Sequence, residues 1–124
     1  MTTAPAPSKT TGYFLWGLQI LAALAFGAAG GFKLIGAPQM VAIFDQIGIG
    51  QWFRYVTGIV EVGSALALLS PRTAPFGAAL LAVTMVFAVL THLFVIGGSP
   101  VPAIVLFAVT AAIVWLRRKQ LRQP

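Results

Sequence analysis

The chain has 124 residues, of which 59% are hydrophobic and 8% are charged, a composition that indicates a one-domain membrane protein rather than an ordinary soluble domain. It has no cysteine, which excludes disulfides, thiolate metal sites and thiol redox chemistry by the chain itself. Its net charge of +6 does not indicate a nucleic-acid partner, because the basic residues cluster in the tail RRKQLR after an apolar segment, a pattern typical of membrane topology.

The N-terminal part of the sequence predicts a disordered tail followed by a membrane span. Residues 1–11 are polar and contain proline, as disordered segments often are. Residues 12–32 form an apolar run of about the ~20 residues that a bilayer core requires. A cleaved leader is the alternative interpretation, but the apolar run exceeds the length of a leader core. Gly27 and Gly31 have the GxxxG spacing that permits close helix approach.

Three further spans are predicted after this first one. Residues 38–47 predict a short interfacial helix that begins at Pro38. The spans that follow are residues 51–70, 74–97 and 101–116, separated by turns rich in proline and glycine. The fold class is therefore predicted to be all-α. We expect an integral membrane four-helix bundle over residues 12–116, with a short helix between its first two spans and a basic cytoplasmic tail at 117–124.

The second span carries two charges at membrane depth, Arg54 near its start and Glu61 near its middle. A charged side chain at the bilayer centre costs roughly 3 kcal/mol on insertion scales and usually faces protein or a wet cavity. At helical spacing, these residues share one stripe with Thr57, Gly58, Ser64 and Ala65. We therefore expect the stripe to face inward and to enclose a small polar pocket.

Four spans place both termini on one side of the membrane, and the basic residues select that side. Cytoplasmic termini put six basic residues inside and leave Lys33 and Arg54 outside, as the positive-inside rule requires. The segment from Lys33 to Gln51 is then predicted to lie on the outer face. The six residues expected inside are Lys9, Arg72, Arg117, Arg118, Lys119 and Arg122.

Five ionisable residues fall in the outer half of this arrangement, namely Lys33, Asp45, Arg54, Glu61 and His92. Inward-facing charges must be paired, so Glu61 is expected to pair with Lys33 or Arg54, and Asp45 with the other cation. His92 is expected nearby as a hydrogen-bonding or titrating group. Two interpretations stay open: a pocket that binds a ligand or handles protons, and a network that only locks helices together. No metal-ligand spacing is present, so no metal is expected.

The sequence resembles the DoxX family of small four-helix membrane proteins, in particular its DoxX-like branch. The resemblance covers roughly residues 15 to 116 and rests on GGFKLIGAP, on GIVE at residues 58–61, on the Pro71 and Arg72 turn and on His92. It implies a four-span bundle in a bacterial inner membrane. It also implies an association with quinone-linked or sulfur-linked respiratory systems, since some members belong to oxidoreductase complexes that respond to thiol or oxidative stress.

Three functions are compatible with these patterns. The first is a subunit or accessory of a membrane oxidoreductase, whose outer-half pocket holds a quinone head or small anion. The second is a small proton-coupled transporter, which would require a homo-oligomer of so short a chain. The third is an assembly or scaffold protein. The expected partners are the lipid bilayer and, for the first function, a redox enzyme subunit; whether the chain is itself an enzyme is left open.

Overall fold

A computed structural model describes residues 8–121, and helices account for most of them. The predicted all-α class is confirmed, since no strand occurs within the described range. One π-helical turn, His92–Ile96, directly follows the helix that ends at Thr91. In chain order the helices are α1 (Lys9–Ile35), α2 (Pro38–Ile47), α3 (Trp52–Ala67), α4 (Ala74–Thr91), α5 (Val101–Leu116) and α6 (Arg118–Leu121).

Local capping determines where α1 begins and ends. The Ser8 hydroxyl accepts a hydrogen bond from the Thr11 backbone N–H at 3.2 Å, so the helix begins three residues before the predicted span. Gly36 ends it with a φ of 71°, and its N–H bonds the Lys33 carbonyl. The rest of the predicted N-terminal tail, residues 1–7, and the last residues of the basic tail, 122–124, lie outside the described range.

The predicted short helix at 38–47 is confirmed by α2, which has the same bounds. Pro38 occupies its first turn, where the missing N–H costs nothing. Gly48 ends it with a φ of 86°, a conformation that glycine adopts without strain.

Within residues 8–121, two helical stretches are long and apolar enough to cross a bilayer by length and composition, Lys9–Ile35 and Ala74–Ile96. Val101–Leu116 is apolar but shorter, and α3 has 16 residues, which gives a rise of about 24 Å. The helix at residues 51–70 is shorter than expected because the chain leaves it at Leu68 and turns toward α4.

The surface of the molecule is more apolar than that of a soluble domain. Many large apolar side chains face outward, among them Ile59, Phe87 and Phe94, which are 62%, 65% and 78% exposed. By contrast, Gln19 and Glu61 are 0% and 2% exposed. An exterior this apolar is expected where lipid, not water, surrounds the protein.

Helix α1 packs against α3 and α5, and α4 packs against α3 and α5, around an apolar core. The predicted inward stripe of α3 is confirmed: Arg54, Gly58, Glu61, Ser64 and Ala65 are buried. The core contains Ala22, Phe26, Ala65, Leu68, Ala78, Leu81, Met85, Ala103 and Ile113.

Gly30 and Gly58 face each other where α1 and α3 pack together. A Cβ on Gly30 would lie 2.9 Å from the Gly58 carbonyl oxygen, and one on Gly58 would lie 3.0 Å from the Gly30 carbonyl oxygen. The sequence pattern had pointed to Gly27 and Gly31, but a Cβ added to Gly31 would meet no atom of another helix within 4 Å, and one added to Gly27 would meet only the Ala65 Cβ, at 4.0 Å. The face of α1 that packs on α3 is therefore centred on Gly30, one residue before Gly31 of the GxxxG motif. One glycine from each helix forms the contact.

A buried polar network joins the N-terminal half of α1 to the end of α3 and to the residues that follow α5. The Gln19 amide donates to the Leu68 carbonyl at 2.8 Å and accepts from Arg117 Nε at 2.7 Å. Arg117 also donates to Gln120, whose amide donates to the Pro71 carbonyl at 2.8 Å. Burial lowers the pKa of Arg117, but a guanidinium stays charged at neutral pH. The α3–α4 turn and the C-terminal helix therefore share one end of the molecule.

We expect Gly30→Ala to destabilise the protein by about 1–3 kcal/mol, because the new methyl group would press on the α3 backbone. Gly31→Ala is the matched control and should change the free energy of unfolding by less than about 0.5 kcal/mol. Both values are obtained from unfolding by SDS in mixed micelles. Equal effects of the two substitutions would contradict the contact.

Candidate functional site

A buried ion pair between α1 and α3 forms the centre of the candidate site. Lys33 Nζ lies 2.7 Å from Glu61 Oε1, with the side chains 13% and 3% exposed. Glu61 lies beside Gly30, since a Cβ on Gly30 would be 3.0 Å from the Glu61 Cβ, and Lys33 follows Gly30 by about one helical turn, so the close helix approach brings the two charges together. No group other than the Lys33 ammonium bonds Glu61 Oε1 within the described residues.

Arg54, the other cation considered for Glu61, has a different role. Its guanidinium donates to the Lys33 backbone carbonyl at the end of α1 and, through Nε, to Gln51 Oε1 at 2.7 Å. A cation at this position gives the Lys33 carbonyl a second donor besides the Gly36 N–H and opposes the negative end of the helix dipole. Arg54 therefore joins α3 to α1 through the backbone.

Asp45 does not contact a cation directly, contrary to the expected pairing. Its carboxylate accepts a hydrogen bond at 2.8 Å from the Gln51 amide, which also donates to the Val41 carbonyl. Gln51 thus stands between Asp45 and Arg54 and holds α2 against the start of α3. Since Asp45 is exposed, solvent or headgroups can compensate its charge without a buried cation.

A cavity of about 500 Å³ adjoins the ion pair and extends between α2, α3, α4 and α5. Lys33, Glu61 and His92 line it, whereas Arg54 and Asp45 do not. Most of the wall is apolar, with Met40, Phe44, Phe53, Val60, Leu80 and Leu106 among the residues that form it. The sequence predicted a small polar pocket, but the structure has a mainly hydrophobic cavity with charge on one wall. The reason is that α2 and α4 contribute mostly apolar side chains to it.

His92 begins the π-helical turn that ends α4. Its Nδ1 lies 2.8 Å from the Ala88 carbonyl oxygen. Because a carbonyl only accepts, Nδ1 carries the proton, and in the neutral ring Nε2 is the acceptor. A π-helical turn adds a residue to the helix and is often found at functional sites. The neutral imidazole therefore presents a hydrogen-bond acceptor.

The threonines of the cavity contribute little donor capacity. The hydroxyls of Thr57, Thr84 and Thr91 each donate to the carbonyl four residues earlier in their own helix, at 2.8, 2.8 and 2.7 Å. Their oxygens still accept hydrogen bonds. Lys33 is therefore the main donor available to a molecule in the cavity.

Some residues of this region were not found by the sequence analysis. Gln51 organises the Arg54 and Asp45 contacts but was assigned only as the start of a span. The apolar cavity wall is formed by residues whose hydrophobicity in the sequence predicts only that they face the core or the lipid. The polar stripe of α3 was the one signal that pointed to this part of the molecule.

The fold and the site together define a small helical membrane protein in which a buried ion pair lies beside a hydrophobic cavity. The model of the DoxX-like family matches residues 17–121, and the chain belongs to that family. No curated protein and no solved structure matches the chain significantly.

A double-mutant cycle tests the ion pair. Lys33→Met and Glu61→Gln should each be destabilising, by up to roughly 3–5 kcal/mol, because each leaves a buried charge unpaired. The double variant should cost less than the sum of the two, with a coupling of about 1–3 kcal/mol in the free energy of unfolding.

The control cycle combines Lys119→Met with Asp45→Asn, which remove equivalent charges from two exposed positions at opposite ends of the molecule. These changes should be additive within about 0.5 kcal/mol. Additive effects in the Lys33 and Glu61 cycle as well would show that the pair contributes no coupling.

Proposed function

We propose that this protein is a four-span subunit or accessory of a membrane oxidoreductase and that its central cavity binds a quinone. The observation that supports this proposal is the combination of a mainly apolar cavity of about 500 Å³ with one charged wall. Small-molecule sites typically have about 300–1,000 Å³, apolar walls and a few placed polar groups.

The residues present fit such a ligand. A quinone head is a flat apolar ring with two carbonyl oxygens, and the cavity offers apolar walls and an ammonium donor. The Glu61 carboxylate, whose one partner among the described residues is Lys33, provides an acceptor at the same wall. A bound quinone would supply two-electron, two-proton redox chemistry.

Each residue at the charged wall has a distinct role in this proposal. Lys33 donates a hydrogen bond to one ligand carbonyl, and the Glu61 carboxylate holds the ammonium in place and balances its charge. His92, with Nδ1 bonded to Ala88, accepts a hydrogen bond from a ligand hydroxyl through Nε2. The apolar walls exclude water and accommodate a hydrocarbon tail.

We further propose that α1, α3, α4 and α5 each cross a bacterial inner membrane, with both termini cytoplasmic. In support, Gln120 bonds the Pro71 carbonyl and Arg117 bonds Gln19, which is the arrangement expected when the helices alternate in direction. Most basic residues lie at that end, in agreement with the positive-inside rule. The 16-residue helices α3 and α5 require local thinning of the bilayer or snorkelling of residues at their ends.

Quinone binding is tested by calorimetry with a short-chain ubiquinone analogue and the protein in lipid nanodiscs. Lys33→Met should weaken binding about tenfold, which corresponds to the loss of one charge-assisted hydrogen bond. Glu61→Gln should weaken it as well, because the ammonium is no longer held in place.

Lys119→Met and Asp45→Asn serve as charge-matched controls and should bind like the wild type, since neither residue lines the cavity. Equal affinity of the wild type and both cavity variants would remove the cavity from the proposed function. Uptake of a solute into vesicles that is lost in Glu61→Gln, without quinone binding, would instead indicate transport.

The topology is tested with reporter fusions that distinguish the two sides of the membrane. A fusion after Leu34 should report the outer side, and a fusion after Pro124 should report the cytoplasm, because an even number of spans separates the termini. A cytoplasmic signal from the first fusion would contradict the four-span arrangement.

A further inference from the structure

A second apolar depression lies on the surface between α4 and α5 and shares no lining residue with the central cavity. It has a volume of about 310 Å³ and is lined by alanines, including Ala82 and Ala111, with Phe107 and Trp115 beside them. Arg118 also lines it. We call this depression the α4/α5 groove; it combines an apolar floor with a cation from the basic end of the chain.

Two contacts fix the Arg118 side chain over the groove. One guanidinium nitrogen donates to the Trp115 backbone carbonyl at 2.7 Å, and the guanidinium carbon lies 4.0 Å from the centre of the Trp115 ring. The guanidinium has five N–H donors, and no other acceptor bonds it within residues 8–121. The side chain is therefore oriented while most of its donors remain available.

No acidic side chain neutralises this end of the protein. The chain has only two acidic residues, and neither lies at the groove. Glu61 pairs with Lys33 near the C-terminal end of α1, and Asp45 bonds Gln51. Arg118 is flanked by Arg117 and Lys119 in the sequence. The groove therefore ends in uncompensated positive charge.

We propose that the α4/α5 groove binds an anionic glycerophospholipid, with an acyl chain over the alanines and the phosphate at Arg118. Small residues leave room for a hydrocarbon chain, and an arginine held at the interface by an aromatic ring suits a phosphate oxygen pair. Basic sites between helices on the cytoplasmic side are the places where anionic headgroups bind. A soluble anion would not use the apolar floor, and a helix of a second copy would not require the cation.

Quenching of Trp115 by lipids with brominated acyl chains tests the proposal, because bromine quenches only a nearby indole. The chain has three tryptophans, so Trp16→Phe and Trp52→Phe leave Trp115 as the single reporter. The full chain is reconstituted in vesicles with equal mole fractions of phosphatidylglycerol and phosphatidylcholine, and only one of the two lipids is brominated. Brominated phosphatidylglycerol should occupy the groove about fivefold more readily than brominated phosphatidylcholine.

Arg118→Gln should abolish this preference, whereas the charge-matched Lys119→Gln should retain it, because Lys119 does not line the groove. Ala111→Leu fills the floor without altering charge and should reduce quenching by either lipid. The helical content of each variant is verified by circular dichroism before quenching is compared.

Four results would overturn the proposal. Equal quenching by the two lipids in the wild type would indicate no lipid selectivity, and equal loss in Arg118→Gln and Lys119→Gln would indicate general attraction to the basic end. Loss of the preference in inorganic phosphate at constant ionic strength would indicate a site for the free anion. Quenching that falls for both lipids as the protein-to-lipid ratio rises would indicate that a second copy covers the groove.

Discussion

The buried ion pair between Lys33 and Glu61 is the interaction on which the rest of the structure depends. A carboxylate on an inward helix face is costly without a counter-charge, and only a close approach of α1 and α3 brings the ammonium within 2.7 Å. Gly30 and Gly58 permit that approach, because either one with a side chain would push the helices apart. The same approach places the pair on the wall of the cavity, so helix packing and the candidate site have one common cause.

The polar groups of this region divide into two sets with different roles. Arg54, Gln51 and Asp45 form a chain of hydrogen bonds that fixes the end of α1 and the start of α3, and none of the three lines the cavity. Lys33 and Glu61 line it, as does His92 from the π-helical turn of α4. The first set holds the helices in position, and the second presents a donor and acceptors to the cavity.

The sequence was sufficient to predict features that follow from periodicity or single-residue chemistry. The inward stripe around Glu61, the start of α2 at Pro38 and its end at Gly48 belong to this group. It did not predict features that depend on helix rotation and register. The choice of Gly30 over Gly31, the buried hydrogen bond between Gln19 and Arg117 and the apolar walls of the cavity require the relative positions of helices far apart in the chain. The sequence left Lys33 and Arg54 as alternative partners of Glu61, and the pairing with Lys33 depends on the register of α1 against α3.

The most direct test of the α1 and α3 packing uses the absence of cysteine from the chain. The Cβ positions of Gly27 and Ala65 are 4.0 Å apart, which lies within the range of a disulfide. Gly27→Cys with Ala65→Cys should therefore form an intramolecular disulfide under mild oxidation in membranes, whereas Gly31→Cys with Ala65→Cys should not. Cross-linking of the second pair as readily as the first, or of neither pair, would contradict the register that brings Lys33 to Glu61.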